Sequence, residues 1–238
     1  MKKRALKYIY ITPILILAIL FVAKFGGAPI LRLYLESGAG SCQKIPILCM
    51  APEEEMIKLD INKEYFAELF TLKLTKMEIA VPSGFDVVQE AVKKVYYKKI
   101  KRQHSGAVIY VLYEPPGFFI DLFPRLKKQG ITDNYKFLRR VMYARLWDTE
   151  NLTDAFFVII KGIFIPDLGS QDIVRMVQFQ AADKRGFINY NLTKADNYFD
   201  CNVIDNEGGF FKIYIKDKAA VLNIDKVMAI VATAKVLH

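Results

Sequence analysis

The runs IVRMVQFQA (173–181), FINYNL (187–192), YFDCNVI (198–204) and FFKIYIK (210–216) decide how this chain folds. Each is short and rich in β-branched and aromatic side chains. Polar residues break the apolar ones at alternate positions, which is the period of a strand with two unlike faces. Turn residues separate the runs: Asp183-Lys184-Arg185-Gly186, then Thr193 to Asn197, then Asn206-Glu207-Gly208-Gly209. Such even spacing predicts an antiparallel meander. Beyond it, Leu222, Val227, Ile230, Val231 and Ala234 mark one side of a terminal amphipathic helix. Strands closed by a helix in this way give the fold class α+β, an antiparallel-sheet domain closed by a C-terminal helix.

Upstream the same reading continues with shorter elements. Ala107 to Tyr113 is a strand stopped by Pro115-Pro116-Gly117. Asp133 caps a helix through Leu146, with Tyr135, Leu138, Val141, Met142 and Leu146 on one face. Ala155 to Ile165 is strongly apolar, contains Lys161 and is too short to cross a membrane, so it is expected as buried core. Met77, Ile79 and Val81 form a strand that Pro82-Ser83-Gly84 ends, and Ile57, Leu59 and Ile61 form another. Asn62 caps a short helix through Phe70. From Val87 to Tyr96 the spacing is helical but the residue types are those of a strand, so both assignments stand.

Composition bounds the chemistry. The chain has 238 residues, 53% hydrophobic and 25% charged, with ordinary Gly and Pro content, which excludes disordered, collagen-like and low-complexity classes. Three Cys are too few for a disulfide-built mini-domain. There are two His, one of them His238, which thins the field of His-dependent enzymes. The net charge of +9 is uneven: Lys2, Lys3, Arg4, Lys7 and Lys24 supply more than half of it. The remaining chain is as mildly basic as an ordinary soluble surface.

Those N-terminal cations flank an uncharged run, YIYITPILILAILFVA (8–23), which resumes after Lys24 as Phe25 to Leu31. As a helix, 8–23 spans roughly 24 Å at ~1.5 Å per residue, slightly short of a ~30 Å hydrocarbon core. Lys24 can snorkel to the headgroups, and Tyr8 and Tyr10 stand where interfacial aromatics belong. The basic flank predicts a cytoplasmic N-terminus by the positive-inside bias. A cleaved signal peptide is the alternative. Phe21 three residues before a cut after Ala23, and Pro29 directly after a cut at Ala28, both argue against cleavage. Ala39-Gly40-Ser41-Cys42 is a faint lipoprotein-like box.

Few residues carry candidate chemistry. There is no Gly-x-Ser-x-Gly, and the internal His104 lies in a loop-like stretch beside Ser105-Gly106. Ser37 to Cys42 lacks the lysine and spacing of a phosphate loop, and Asp205 to Gly209 lacks the ligand spacing of a calcium loop. Asp200 and Asn202 share a strand face with Asp196 just upstream, a pattern that serves either acid chemistry or a solvated polar face. Cys42 and Cys49 form a candidate disulfide outside the cytoplasm, and no metal pair is expected because no His lies near them. Cys201 alternates with Phe199 and Val203 and reads as a buried thiol. The densest basic stretch is Lys93, Lys94, Lys98, Lys99, Lys101 and Arg102 with Tyr96 and Tyr97 interleaved, a candidate surface for anionic lipid or glycan.

The strand and turn Met-Glu-Ile-Ala-Val-Pro-Ser-Gly-Phe (77–85), a central sheet and a closing C-terminal helix resemble the PsbP-like α/β/α sandwich over about residues 70–238. The resemblance implies an exported or membrane-attached domain that acts in assembly or stabilisation, and it transfers no site residue. The whole chain is also similar in style to single-pass exported bacterial proteins.

The expected molecule therefore has a cytoplasmic tip and transmembrane signal anchor over 1–31, a connector with two Cys over 32–55, and one extracytoplasmic α+β domain over 56–238. Its expected role is non-catalytic binding or assembly at the envelope. The membrane is engaged through residues 8–31, an envelope protein is the candidate partner, and neither cofactor nor nucleic acid is expected. The alternatives are an envelope enzyme with an acid-based site, or an anion binder using residues 93–102. For an assembly surface the candidates are Phe118-Phe119-Ile120 and Leu122-Phe123 after the Pro-Pro-Gly turn.

Overall fold

The structure, a computed structural model, describes residues 27–58, 63–74, 76–88, 98–102, 106–166, 168, 174–181, 183–193 and 196–237. These residues divide into two compact units. The larger takes residues 50–143 and 164–238; the smaller takes 27–49 and 144–163 of the described chain.

The larger unit is α+β and is built on an eight-stranded sheet. In chain order its strands are β1 (Glu53–Lys58), then β4 (Phe85–Val88), β5 (Lys98–Arg102) and β6 (Val108–Glu114), then β7 (Arg175–Ala181), β8 (Lys184–Leu192), β9 (Asn197–Ile204) and β10 (Phe210–Asp217). Their spatial order is β1-β7-β8-β9-β10-β6-β5-β4. The meander of β7 to β10 is continuous and antiparallel, and β6, β5 and β4 extend it antiparallel from β10. Only β1 runs parallel to its neighbour, β7. There Glu53 accepts from Arg175 Nε at 2.7 Å, which holds the Glu53 carboxyl below its usual range. The β9–β10 turn forms because the Asp205 carboxylate accepts the amides of Glu207 (3.0 Å) and Gly209 (2.7 Å) while Gly208 takes a positive φ. Gly186 is required for close approach: a Cβ there would collide with the main-chain carbonyl of Asn202 on β9.

Alternation then sends one set of side chains to each face. Phe179, Ile188, Phe199, Cys201, Val203, Phe211, Ile213 and Ile215 form one apolar face, joined by Ile109 and Val111. Helix α6 (Ile224–Thr233) covers this face with Val227, Met228, Ile230 and Val231. Asn223 caps it by accepting the Lys226 amide at 3.0 Å. A second, three-stranded antiparallel sheet packs into the same core. It consists of β2 (Leu69–Lys73), β3 (Met77–Pro82) and β11 (Lys235–Val236) in the order β11-β3-β2. Thr233 ties α6 to β3, accepting the Ala80 amide at 2.8 Å. The opposite face of the large sheet carries helix α4 (Asn134–Tyr143), packed on β8 and β9 with Phe137, Leu138, Val141 and Met142 buried. Asn134, itself buried, accepts the Phe119 amide and donates to the carbonyls of Pro115 and Gly208.

The smaller unit contains helix α1 (Gly27–Gly38) and helix α5 (Leu152–Phe164), whose residues up to Ile163 belong to it. Leu35, Leu48, Leu146, Ala155 and Val158 form its core, with Leu31, Ala39, Ile45 and Ala144 packed around them. Cys42 and Cys49 are joined as a disulfide with their Cα atoms 5.7 Å apart.

Several expectations need correction. The expected fold class began with a transmembrane helix. The helix found in that region is α1, twelve residues starting at Gly27, and among the described residues no helix is long and apolar enough to cross a membrane. The apolar run 8–23 lies outside the described residues. The helix expected through Phe70 stops at Ala67, because Leu69, Phe70 and Leu72 reach further burial as strand β2 against β3. The helix expected from Asp133 through Leu146 ends at Tyr143. Ala155 to Ile165 is expected as buried core; it forms most of α5, which buries one side and leaves the apolar Ile159 and Ile163 exposed on the other.

Candidate functional site

On the α4 side of the large sheet, three neighbouring strands place polar residues where apolar ones would ordinarily sit. Register aligns Tyr214 on β10 with Asp200 on β9, and Asp200 with Asn189 on β8; one step along, Lys212 faces Asn202. Asp200, Asn189 and Asn202 are fully buried and Lys212 nearly so. The Lys212 ammonium ion-pairs with the Asp200 carboxylate at 2.7 Å and donates to the Phe164 carbonyl at 2.7 Å and to Asn202 Oδ1 at 3.1 Å. The other Asp200 oxygen accepts from Asn189 Nδ2 at 3.0 Å and Asn202 Nδ2 at 2.8 Å. The Phe164 ring lies 4.3 Å from the ammonium. A buried charge needs this kind of surround: one countercharge and hydrogen bonds to what remains.

The arrangement leaves Asp200 little freedom for chemistry. A general acid or base must reach a substrate proton, and this carboxylate spends its oxygens on Lys212 and two amides. The Cys201 thiol, on the opposite face of β9, is pushed up by burial first and by Asp200 second, so it is no nucleophile. Asp196 stands apart, in a turn where Thr193 Oγ1 accepts the Asp196 amide at 2.8 Å and donates to its carbonyl at 2.6 Å. Among the described residues no group of three or more His, Cys, Asp or Glu could hold a metal ion. The sequence pairs Asp200 with Asn202 but gives no sign of Lys212 or Asn189. Their shared signal is visible only afterwards, as polar slots at matching positions of three adjacent strands.

The basic stretch divides. Lys93 and Lys94 lie outside the described residues, as does His104, while Lys98, Lys99, Lys101 and Arg102 form most of β5. Lys101 is exposed and pairs in register with Val108, which pairs with Lys216; Lys99 pairs with Tyr110, which pairs with Tyr214. Lys101 therefore occupies the sheet face of Tyr110 and Tyr214, whose rings stack at 5.8 Å, and of Lys216, 5.1 Å from the Tyr198 ring. The assembly segment after Pro-Pro-Gly is not a free surface. Phe119 and Ile120 are buried, and the Phe119 ring stacks on Phe137 at 4.5 Å; of the segment's apolar residues, Leu122 alone is exposed.

The smaller unit carries the apolar surface instead. Among the described residues, seven of the fourteen exposed large apolar side chains belong to it, far more than its share of them. On α1, Ile30, Leu33 (66% exposed) and Tyr34 (73%) face outward while Leu31 and Leu35 pack inward. On α5, Leu152 (79%) and Ile163 (76%) are exposed with Ile159 between them. The spacing 152, 156, 159, 163 makes one continuous helical stripe completed by the half-buried Phe156. A surface helix ordinarily puts polar residues there. A cleft of about 730 Å³ opens between Ile30, Leu31 and Tyr34 on one side and Leu152 on the other. Trp147, also exposed, sits on a turn that packs against α1, where Arg32 Nε donates to the Thr149 carbonyl at 3.0 Å. Inside this unit Lys161 is fully buried, its ammonium donating to the Ala144 carbonyl at 2.9 Å. Burial, with a lesser push from Arg145, lowers its pKa to about 7.

Compared with protein-family models and with curated protein sequences, the chain matches none of them.

Proposed function

We propose that the protein is a non-catalytic binding and assembly module, associated with a membrane and working outside the cytoplasm. The observation that carries this reading is the apolar surface of the smaller unit, formed by outward-facing residues of α1 and α5. Contiguous exposed apolar side chains mark a contact surface in a soluble domain. The Cys42–Cys49 disulfide agrees with an oxidising compartment. The inward commitment of Asp200 argues against the acid-based enzyme. The test is a reporter active only outside the cytoplasm, fused after His238, combined with thiol trapping of Cys42 and Cys49 in intact cells. An active reporter with both thiols blocked by their disulfide is expected. An inactive reporter with free thiols sinks the reading.

A second reading has one observation in its favour, the sheet face that Lys101 of β5 shares with Tyr110, Tyr214 and Lys216. Rings and cations together suit anionic lipid headgroups or acidic glycans. Lys101→Glu with Lys216→Glu should then abolish a salt-sensitive binding to vesicles of phosphatidylglycerol or to a sulfated polysaccharide. Binding unchanged by the substitutions removes this reading.

A further inference from the structure

Resting on that reading, we propose that the smaller unit seats the α1–α5 apolar face in the interfacial layer of a lipid bilayer, with Tyr34 and Trp147 at headgroup level.

Two side-chain stripes meet at one cleft, where Ile30 and Tyr34 of α1 stand against Leu152 of α5. On α1, Ile30, Leu33 and Tyr34 follow one another at the three- and four-residue steps that keep them on one side of a helix. Their inward neighbours Leu31 and Leu35 already satisfy the unit's own core. On α5 the outward stripe of Leu152, Ile159 and Ile163 lies apart from the inward Ala155 and Val158 in the same way. Both helices thus have a second apolar side that their own core does not use. The cleft between Ile30, Tyr34 and Leu152 is open and shallow, with Glu150, Asn151 and Thr153 along its edge, so it presents its apolar side chains outward.

The occupant is argued from where the chain comes from. The described residues begin at Gly27, on the helix that carries half of the face. The sequence just before it holds the uncharged run 8–23 behind the cations Lys2, Lys3, Arg4 and Lys7. A bilayer that receives this run is therefore tethered within a few residues of α1, so local concentration favours lipid over a diffusing protein. The aromatic residues agree. Tyr and Trp, each with an apolar body and one polar atom, are the side chains enriched at membrane–water interfaces.

The test uses the full chain in vesicles of phosphatidylcholine and phosphatidylglycerol, with nitroxide labels on single introduced cysteines. Cys42 and Cys49 are disulfide-bonded and Cys201 is buried, so the label reports the introduced thiol. Leu152→Cys, Ile163→Cys and Tyr34→Cys replace exposed residues; Glu207→Cys, on an exposed turn of the larger unit, is the reference. A circular dichroism spectrum matching the unsubstituted chain confirms folding of each variant. On adding vesicles, collisions of the labels at 34, 152 and 163 with oxygen should rise several-fold relative to a water-soluble nickel chelate. The label at 207 should not change. Labels at 34, 152 and 163 that stay as water-accessible as the one at 207, while the protein floats with the vesicles, overturn the proposal. So does dipolar broadening between labels of two chains, which would give the face to a second copy. In either case an active reporter after His238 leaves the assembly reading standing, so the two failures are distinguishable.

Discussion

Lys212→Met should open the meander of the large sheet far more often than its native level. The substitution keeps an unbranched side chain and much of the volume, so the change is chiefly electrostatic. It deletes the countercharge 2.7 Å from Asp200 and the donor that satisfies the Phe164 carbonyl and Asn202 Oδ1. Asp200 keeps two amide donors but becomes a buried carboxylate with no cation beside it. Breaking a buried pair this way costs about 3–5 kcal/mol. Cys201 offers the assay, because it is the residue next to Asp200, fully buried, and the one thiol outside the disulfide. Labelling by an aromatic disulfide follows the opening equilibrium when reclosing is fast. At about 1.4 kcal/mol per decade, the expected cost speeds labelling by roughly two to three and a half powers of ten. Lys212→Met with Asp200→Asn should recover much of the loss, since no charge is left buried. A less than tenfold change in the single variant, or a double variant no slower to label than the single, would refute the account of Lys212 as the partner of Asp200.

Three further outcomes are expected. Lys161 holds its proton to about pH 10.5 in the unfolded chain but only to about 7 in the native one, so the unfolded state binds more protons between those values. Stability of the smaller unit should therefore rise by a few kcal/mol from pH 7 to 10 and be flat below 7; melting followed by Trp147 fluorescence checks it, and Lys161→Met should remove the slope. Gly186→Ala should cost about 3 kcal/mol or more, because β8 cannot shift from β9 without losing the ladder; a urea midpoint within error of the native one contradicts the close approach. Reducing the Cys42–Cys49 disulfide should lower the stability of the smaller unit by about 2 kcal/mol, the chain-entropy value for so short a loop, and an unmoved Trp147 transition in reductant would show that the loop is held by its packing alone.

The meander was legible because its signals are local. β7 to β10 each alternate, and turn residues separate them. The candidate site was not legible, because register creates it. Nothing within FFKIYIK says that Lys212 will face Asn202 rather than water; that follows from which strands are neighbours. Asn134 is similar: it reads as one polar residue at a helix start, while its use is to join Pro115, Phe119 and Gly208. Ala155 to Ile165 misled for the opposite reason. A helix apolar on both sides gives no periodic hint of which side its core will take, and the exposed stripe of α5 emerged only once Ala155 and Val158 were packed. Phe118 to Phe123 misled likewise, since Phe119 finds Phe137 from a helix that begins beyond the next turn.

The smaller unit is assembled from two stretches of chain, 27–49 and 144–163, with the whole of the larger unit's first segment between them. On a ribosome this imposes a wait. Leu31, Leu35 and Leu48 emerge early, yet Leu146, Ala155 and Val158, which complete their core, follow only after residues 50–143 are made. At ~5–20 residues per second the delay is roughly 5–20 s, long compared with the microseconds in which a helix forms. The loop closed by Cys42 and Cys49 is local and can be finished in that interval. Synthesis of this protein thus has a window in which α1 is exposed on every side, and anything that shelters apolar helices from water has its best access to the chain at that time.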